Sequence, residues 1–309
     1  MSPPFTEGLR VLRRQFSFVT FISSLALLFP RGYGKLGYND WEGGAFVLDS
    51  EIMDLRERSV TKANELIQKS RFSLSAQQQK IVLFLISQIN YWDEDFKLYT
   101  FSISEFCRVC GIERPGGKGY VELKAAIKEI ADKSLWVRLD NGKQTLLRWI
   151  EKPYIDEGKG TVEIRLDKDM KPYLLQLREN FTKYELIYTL RFRSKYSIRL
   201  YELIRSLQYH DLEELGCQFT VEQLKALLDG EEYKEYRDFK RRVLNMAVGE
   251  VNRYSDRDVS YVEQKQGRKV TGVVFAIKAK SLQERLRLRA EIDKKLGPEQ
   301  LSIWDVGSR

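Results

Sequence analysis

The chain has 309 residues, 43% hydrophobic and 31% charged, enough apolar material for two or three domains with cores of their own. A formal charge of +8 favours a polyanionic partner, because a basic surface concentrates nucleic acid or anionic membrane around it. Three cysteines cannot build a disulfide framework, so a reducing cytoplasm is the expected compartment, and seven prolines without a low-complexity tract argue against extended disorder.

Residues 1–52 differ from the rest. Arg10, Arg13 and Arg14 precede an apolar run over 16–29, followed by a Gly-rich stretch. This is the outline of a signal peptide, yet no A-x-A site follows, and the run is shorter than the about 20 residues a membrane span needs. Three readings stay open for this extension: a coding frame opened too far upstream, with Met53 as the working start; a peripheral N-terminal arm; or a signal or anchor.

Regular patterning begins at Ser59. Ser75 and Gln78 form an S-x-x-Q capping pair ahead of a predicted helix over 75–90. A strand is expected at 98–101, then a second helix opened by Ser102 and Glu105 and ended by Gly111. The periodicity predicts a third helix over 120–133, with Leu123, Ile127 and Ile130 inside. Asn141-Gly142 joins 136–139 to 144–151 as a hairpin with an expected type I′ turn, and 161–166 adds a strand. Helix, strand, two helices and a hairpin is the order of a winged helix.

The second half repeats the first. The run 219–224, with Thr220 and Gln223 as a second capping pair, matches 101–106, and 194–208 stands where 75–90 stood. Tyr236, Phe239, Lys240, Val243, Met246 and Ala247 match Tyr120, Leu123, Lys124, Ile127, Ile130 and Ala131 in spacing. The expected fold is therefore α+β, two tandem winged-helix domains over 53–190 and 191–281, with a helical tail over 282–309. The stretch 233–274 supplies a helix with a cationic outer face and a hairpin with a basic tip. On this reading the inward face carries Tyr236, Phe239, Val243, Met246, Ala247 and Tyr254, while Arg237, Arg241, Asn245, Val248 and Asn252 face elsewhere.

A helix of this kind fits the major groove, where base edges present distinguishable donors and acceptors. Arg237 and Arg241 are the candidates for reading guanine, Asn245 for adenine, and Lys240 and Arg242 for phosphate. Lys265, Arg268 and Lys269 surround Gly267 at the hairpin tip, where a tight turn brings cations to phosphate or the minor groove. The first domain offers Lys118, Lys124 and Lys128 and no arginine within 120–133, so phosphate contact is its expected share. Arg193, between Arg191 and Lys195, is a further candidate for phosphate or for domain capping.

Three segments carry a family resemblance: ANELIQKSRFSLSAQQQKIVLFLISQI, YTLRFRSKYSIRLYELIRSL and, most specifically, DFKRRVLNMAVGEVNRYSDRDVSYVEQKQGRKVTGVVF. Over residues 53–280 the chain resembles the iteron-binding plasmid replication initiators, the RepE- and Pi-like Rep proteins. The resemblance implies binding to direct repeats in double-stranded origin DNA as a monomer, help in opening the origin, and recruitment of the host replication initiator and helicase. It also implies dimerisation through the first domain, with repression of the protein's own promoter at an operator inverted repeat. A winged-helix transcriptional regulator without a replication role is the alternative.

Enzymatic readings fail on composition. His210 is the only histidine, which excludes the His-x-His metal pair of relaxases. The GIERPGGKGY loop puts Lys118 one place late for a phosphate loop and has Gly119 where Ser or Thr is required. Cys107 and Cys110 form a lone C-x-x-C without a second pair. No catalytic residue, metal or cofactor is expected.

Overall fold

The first half of the chain builds β1 (Ser59–Ala63), α1 (Asn64–Lys69), β2 (Ser70–Arg71), α2 (Ala76–Ser87), β3 (Tyr99–Ser102), α3 (Ile103–Cys110) and α4 (Gly117–Asp132). It continues with β4 (Ser134–Arg138), β5 (Gln144–Arg148), β6 (Tyr154–Asp156), β7 (Thr161–Ile164) and β8 (Phe181–Glu185). The computed structural model describes residues 54–110, 117–139, 141–208 and 215–295. The N-terminal extension, His210 and the end of the tail lie outside the described residues, as do the side chains of Cys110 and Lys118.

The capping signals work as the sequence suggests. Ser75 accepts from the Gln78 N–H while the Gln78 side chain returns to the Ser75 N–H, and the Ser102 hydroxyl accepts from the Glu105 N–H at 2.9 Å. α2, β3, α3 and α4 then follow in winged-helix order, but the wing is not the expected hairpin. β3 pairs with β7, which pairs with β6, giving the sheet β3-β7-β6. The hairpin β4-β5 belongs to a separate sheet with β2, where Arg71 stands opposite Trp136. The wing of the first half is thus β6-β7. The turn of the β4-β5 hairpin differs too: Leu139 N–H donates to Lys143 O at 2.8 Å across three residues, and Gly142 has φ +80 while Asn141 is not in the left-handed region. Asn141 instead accepts the Lys143 N–H with its side chain at 3.0 Å, so the loop is a three-residue turn rather than type I′.

The second half supplies α5 (Lys195–Leu207), β9 (Leu215–Thr220), α6 (Val221–Leu227) and a long helix, α7, that runs through Tyr236–Phe239, a π-turn at Lys240–Leu244, and Asn245–Tyr254. β10 (Arg257–Gln266), β11 (Lys269–Ala279) and α8 (Leu282–Lys295) complete it. Thr220 and Gln223 form the second full capping box. The sheet order β10-β11-β9 reproduces β6-β7-β3 strand for strand.

The π-turn corrects the expected inner face of α7. The Asn245 N–H donates to Lys240 O, an i→i+5 bond that inserts one residue into the turn. In α4 the anchors are Leu123, Ala126, Ile127 and Ile130; in α7 they are Phe239, Val243, Leu244 and Ala247, each later anchor arriving one residue late. Leu244 and Val251 are fully buried, whereas Met246, expected inside, is 49% exposed.

One apolar core runs through both halves. α5 lies at its centre, packed on α1, α2, β8 and the end of α7. Its buried polar groups tie the halves together. The Arg199 guanidinium lies 4.3 Å from the Phe72 ring and donates to Leu227 O at 3.2 Å and to Ile67 O and Ser70 O at 3.4 Å. Burial pulls its pKa down to about 10. Glu202 pairs with Lys62 at 2.6 Å and accepts from the Tyr184 hydroxyl at 2.6 Å. α8 returns to the first half: Arg56 meets Asp293 at 3.3 Å, Arg289 meets Glu185 at 3.0 Å, and Ile292 is buried.

Candidate nucleic-acid interface

α7 and the β10-β11 hairpin place most of the second half's candidate cations on one construction. Arg237, Arg241 and Arg242 are exposed on α7. Arg241 is held by Asp238 at 3.0 Å, one turn earlier, while Arg237 and Arg242 have no acidic partner among the described residues. Asn245 accepts from the Tyr261 hydroxyl at 2.6 Å, which leaves its amide nitrogen available. Met246, turned outward by the π-turn, adds an apolar contact beside them.

The hairpin turns in two residues. Gln266 pairs with Lys269, and Gly267 at the first central position has φ +61, the type II′ pattern that fits twisted strands. A register shift after Gln264 adds local twist. Lys265, Arg268 and Lys269 are exposed at this tip.

Glu263 ties the hairpin to the helix, a role the sequence reading missed. Its carboxylate meets Lys240 at 2.7 Å, accepts from the Tyr236 hydroxyl at 3.0 Å and lies 3.9 Å from Lys265. The Lys240 hydrogen bond holds the carboxyl below its ordinary range despite partial burial, and Glu263 in turn raises the Lys240 ammonium. Lys240 therefore meets phosphate only in competition with Glu263. Asn252 is committed more completely: its amide donates to Val259 O at 2.8 Å and accepts the Val259 N–H at 2.6 Å, clamping α7 to β10. That pairing fixes the orientation of the amide and uses one of its two N–H groups.

The first half repeats the clamp without the arginines. Lys124, which matches Lys240, pairs with Glu157 at the tip of the β6-β7 wing. Lys128 pairs with Asp132 at 2.6 Å. Val121, 63% exposed, and Ala125 stand where α7 carries Arg237 and Arg241, and they wall an open groove of about 1050 Å³. Arg193 is exposed at the start of α5; its N–H and that of Ser194 are held by the Glu250 carboxylate at 3.1 and 3.2 Å. Arg191 lies over Tyr254 at 5.3 Å, a packing contact.

Duplicated helix, strand, helix, helix and wing units, one with a cationic helix and tip, define a tandem winged-helix protein. Comparison with known proteins agrees. Residues 59–205 match the family described as Initiator Replication protein, WH1, and 220–277 match Initiator Rep protein, WH2. The chain belongs to this replication initiator family. A replication initiation protein of Escherichia coli is 26% identical over 231 residues, covering 72% of this chain and 70% of the relative. The PI protein of Escherichia coli is 28% identical over 147 residues, covering 42% and 47%. The crystal structure of Pi initiator protein in complex with iteron DNA superposes with a TM-score of 0.62 at 21% identity, covering 73% of this chain and 99% of that one.

Proposed function

We propose that the chain is a plasmid replication initiator that binds direct repeats in double-stranded origin DNA. The observation that carries this reading is the exposed cationic stripe of α7 set beside the basic tip of β10-β11 in a family of replication initiators. Arg237 and Arg241 read base edges from α7, with Asn245 beside them, and Arg242, Lys265, Arg268 and Lys269 meet phosphate. The first half, over residues 53–190, holds the protein on the backbone through Lys118, Lys124 and Lys128. The second domain, 191–281, does the reading. Recruitment of a host replication initiator and helicase, and dimerisation for repression at an inverted repeat, complete the proposal.

A transcriptional regulator would use the same surface, so the DNA decides. Footprinting beside an A·T-rich segment at two protein concentrations should show several direct repeats filled at the lower one. Protection of a single inverted repeat over a promoter at both concentrations would contradict the initiator reading.

A further inference from the structure

The sheet β2-β4-β5 carries a second basic surface, separate from the winged-helix units. Its alternation sends Leu135, Val137 and Leu147 into the core, so Trp136, Arg138, Gln144 and Leu146 face outward beside Arg71. In register, Trp136 stands opposite both Arg71 and Leu146, and Arg138 stands opposite Gln144. Trp136 is 50% exposed, and no ring among the described residues packs on it. The three strands hold three arginines and no carboxylate. The carboxylate that faces Arg71 is Glu231, from the second half. Lys69, Arg71, Trp136, Arg138 and Gln144 line a hollow of about 370 Å³.

Trp136 leaves half of its surface in water on a sheet whose other side is core. Its use follows from its neighbours. A flat π-face between guanidiniums attracts a flat aromatic group attached to an anion. In a duplex the base faces are stacked on one another, so such a face meets bases only where they are unpaired. Burial holds the Arg71 guanidinium below its ordinary range, while Glu231 draws it up and Arg138 adds a smaller push down.

We propose that the outer face of β2-β4-β5 binds single-stranded nucleic acid, with an unpaired base stacked on Trp136 and phosphates held by Arg71 and Arg138. The chemistry stands on the face itself; only its use, holding one strand of an opened origin, rests on the reading above.

The test uses the full chain, a labelled oligo-dT of about 12 nucleotides, a duplex of the same length and a duplex of direct repeats. Wild type should bind oligo-dT. W136A should weaken that binding about fivefold or more, W136F should keep most of it, and the R71A/R138A double variant should weaken it and flatten its salt dependence. Duplex binding should stay unchanged in all three, with melting curves reporting folding. The proposal is overturned if wild type ignores oligo-dT, if W136A binds it as well as wild type, or if duplex binding falls in parallel. It also fails if sedimentation shows W136A turning a dimer into a monomer with oligo-dT affinity intact, because the face would then join two copies. Failure of the replication reading would look different: no preference for direct repeats, with the oligo-dT results as predicted.

Discussion

Glu263 is an acid in the middle of a basic surface, and its contacts explain its presence. It binds Lys240 and the Tyr236 hydroxyl, so it sets the angle between helix and wing while costing attraction to DNA. Glu263→Gln should release Lys240, raise affinity for all duplexes and steepen the salt dependence by about one unit, while reducing the ratio of specific to random binding. Unchanged salt dependence would show that Lys240 already reaches phosphate. The loss of folding stability should stay below about 1 kcal/mol, because Lys240 is 40% exposed and screened. The sign with pH follows from the lowered carboxyl. The clamp's contribution is complete above the ordinary glutamate value of 4.5 and disappears as pH falls through the lower folded value, which denaturant titrations at pH 7 and pH 3 of wild type and variant would resolve. Asn252, on the same outward stripe, is held by two hydrogen bonds to Val259, so it joins helix to strand with one N–H and one lone pair of its amide still open.

Within α7 the π-turn decides which residues support the fold and which face outward. Leu244→Ala should cost about 2 to 5 kcal/mol in urea unfolding, whereas Met246→Ala should stay within about 0.5 kcal/mol. Equal costs would restore the uninterrupted helix. In the hairpin, K265A/K269A should weaken binding to every sequence alike and lower the salt slope by about one unit per lost phosphate contact. A loss confined to the preferred sequence would mean that the tip reads bases. The elements were legible where their signals are local: the capping boxes at Ser75 and Thr220 and the glycine turn at Gly267 form as the residues suggest. The π-turn has no residue signature, since any helix former can make an i→i+5 bond. The first wing was misplaced because Phe101 opposite Val162 is a pairing across sixty-odd residues, invisible to a reading of neighbours.

Across the whole molecule, the two halves share one core and one set of buried polar links, so they should unfold together. Glu202→Ala leaves Lys62 buried without its carboxylate and should cost about 3 to 5 kcal/mol. It should lower the stability of the second half equally, seen as one transition whether followed by fluorescence or by hydrogen exchange within α7. Two separate transitions would make the halves independent. The return of α8 to Arg56 and Glu185 belongs to the same design, and no periodicity in its charged sequence announced where it would dock. The repeat itself was legible, because duplicated spacing survives even where residues differ. The division of labour between the halves rests on those differences, arginine in α7 against valine and alanine in α4. Its direct measurement is competition binding over a set of base-substituted duplex repeats with R237A/R241A and with K124A/K128A. The first pair should flatten discrimination at individual positions, at about 1 to 3 kcal/mol per lost base contact, and the second should lower all affinities in parallel. Flattened discrimination from the lysine pair, with the arginine pair acting uniformly, would contradict the assignment.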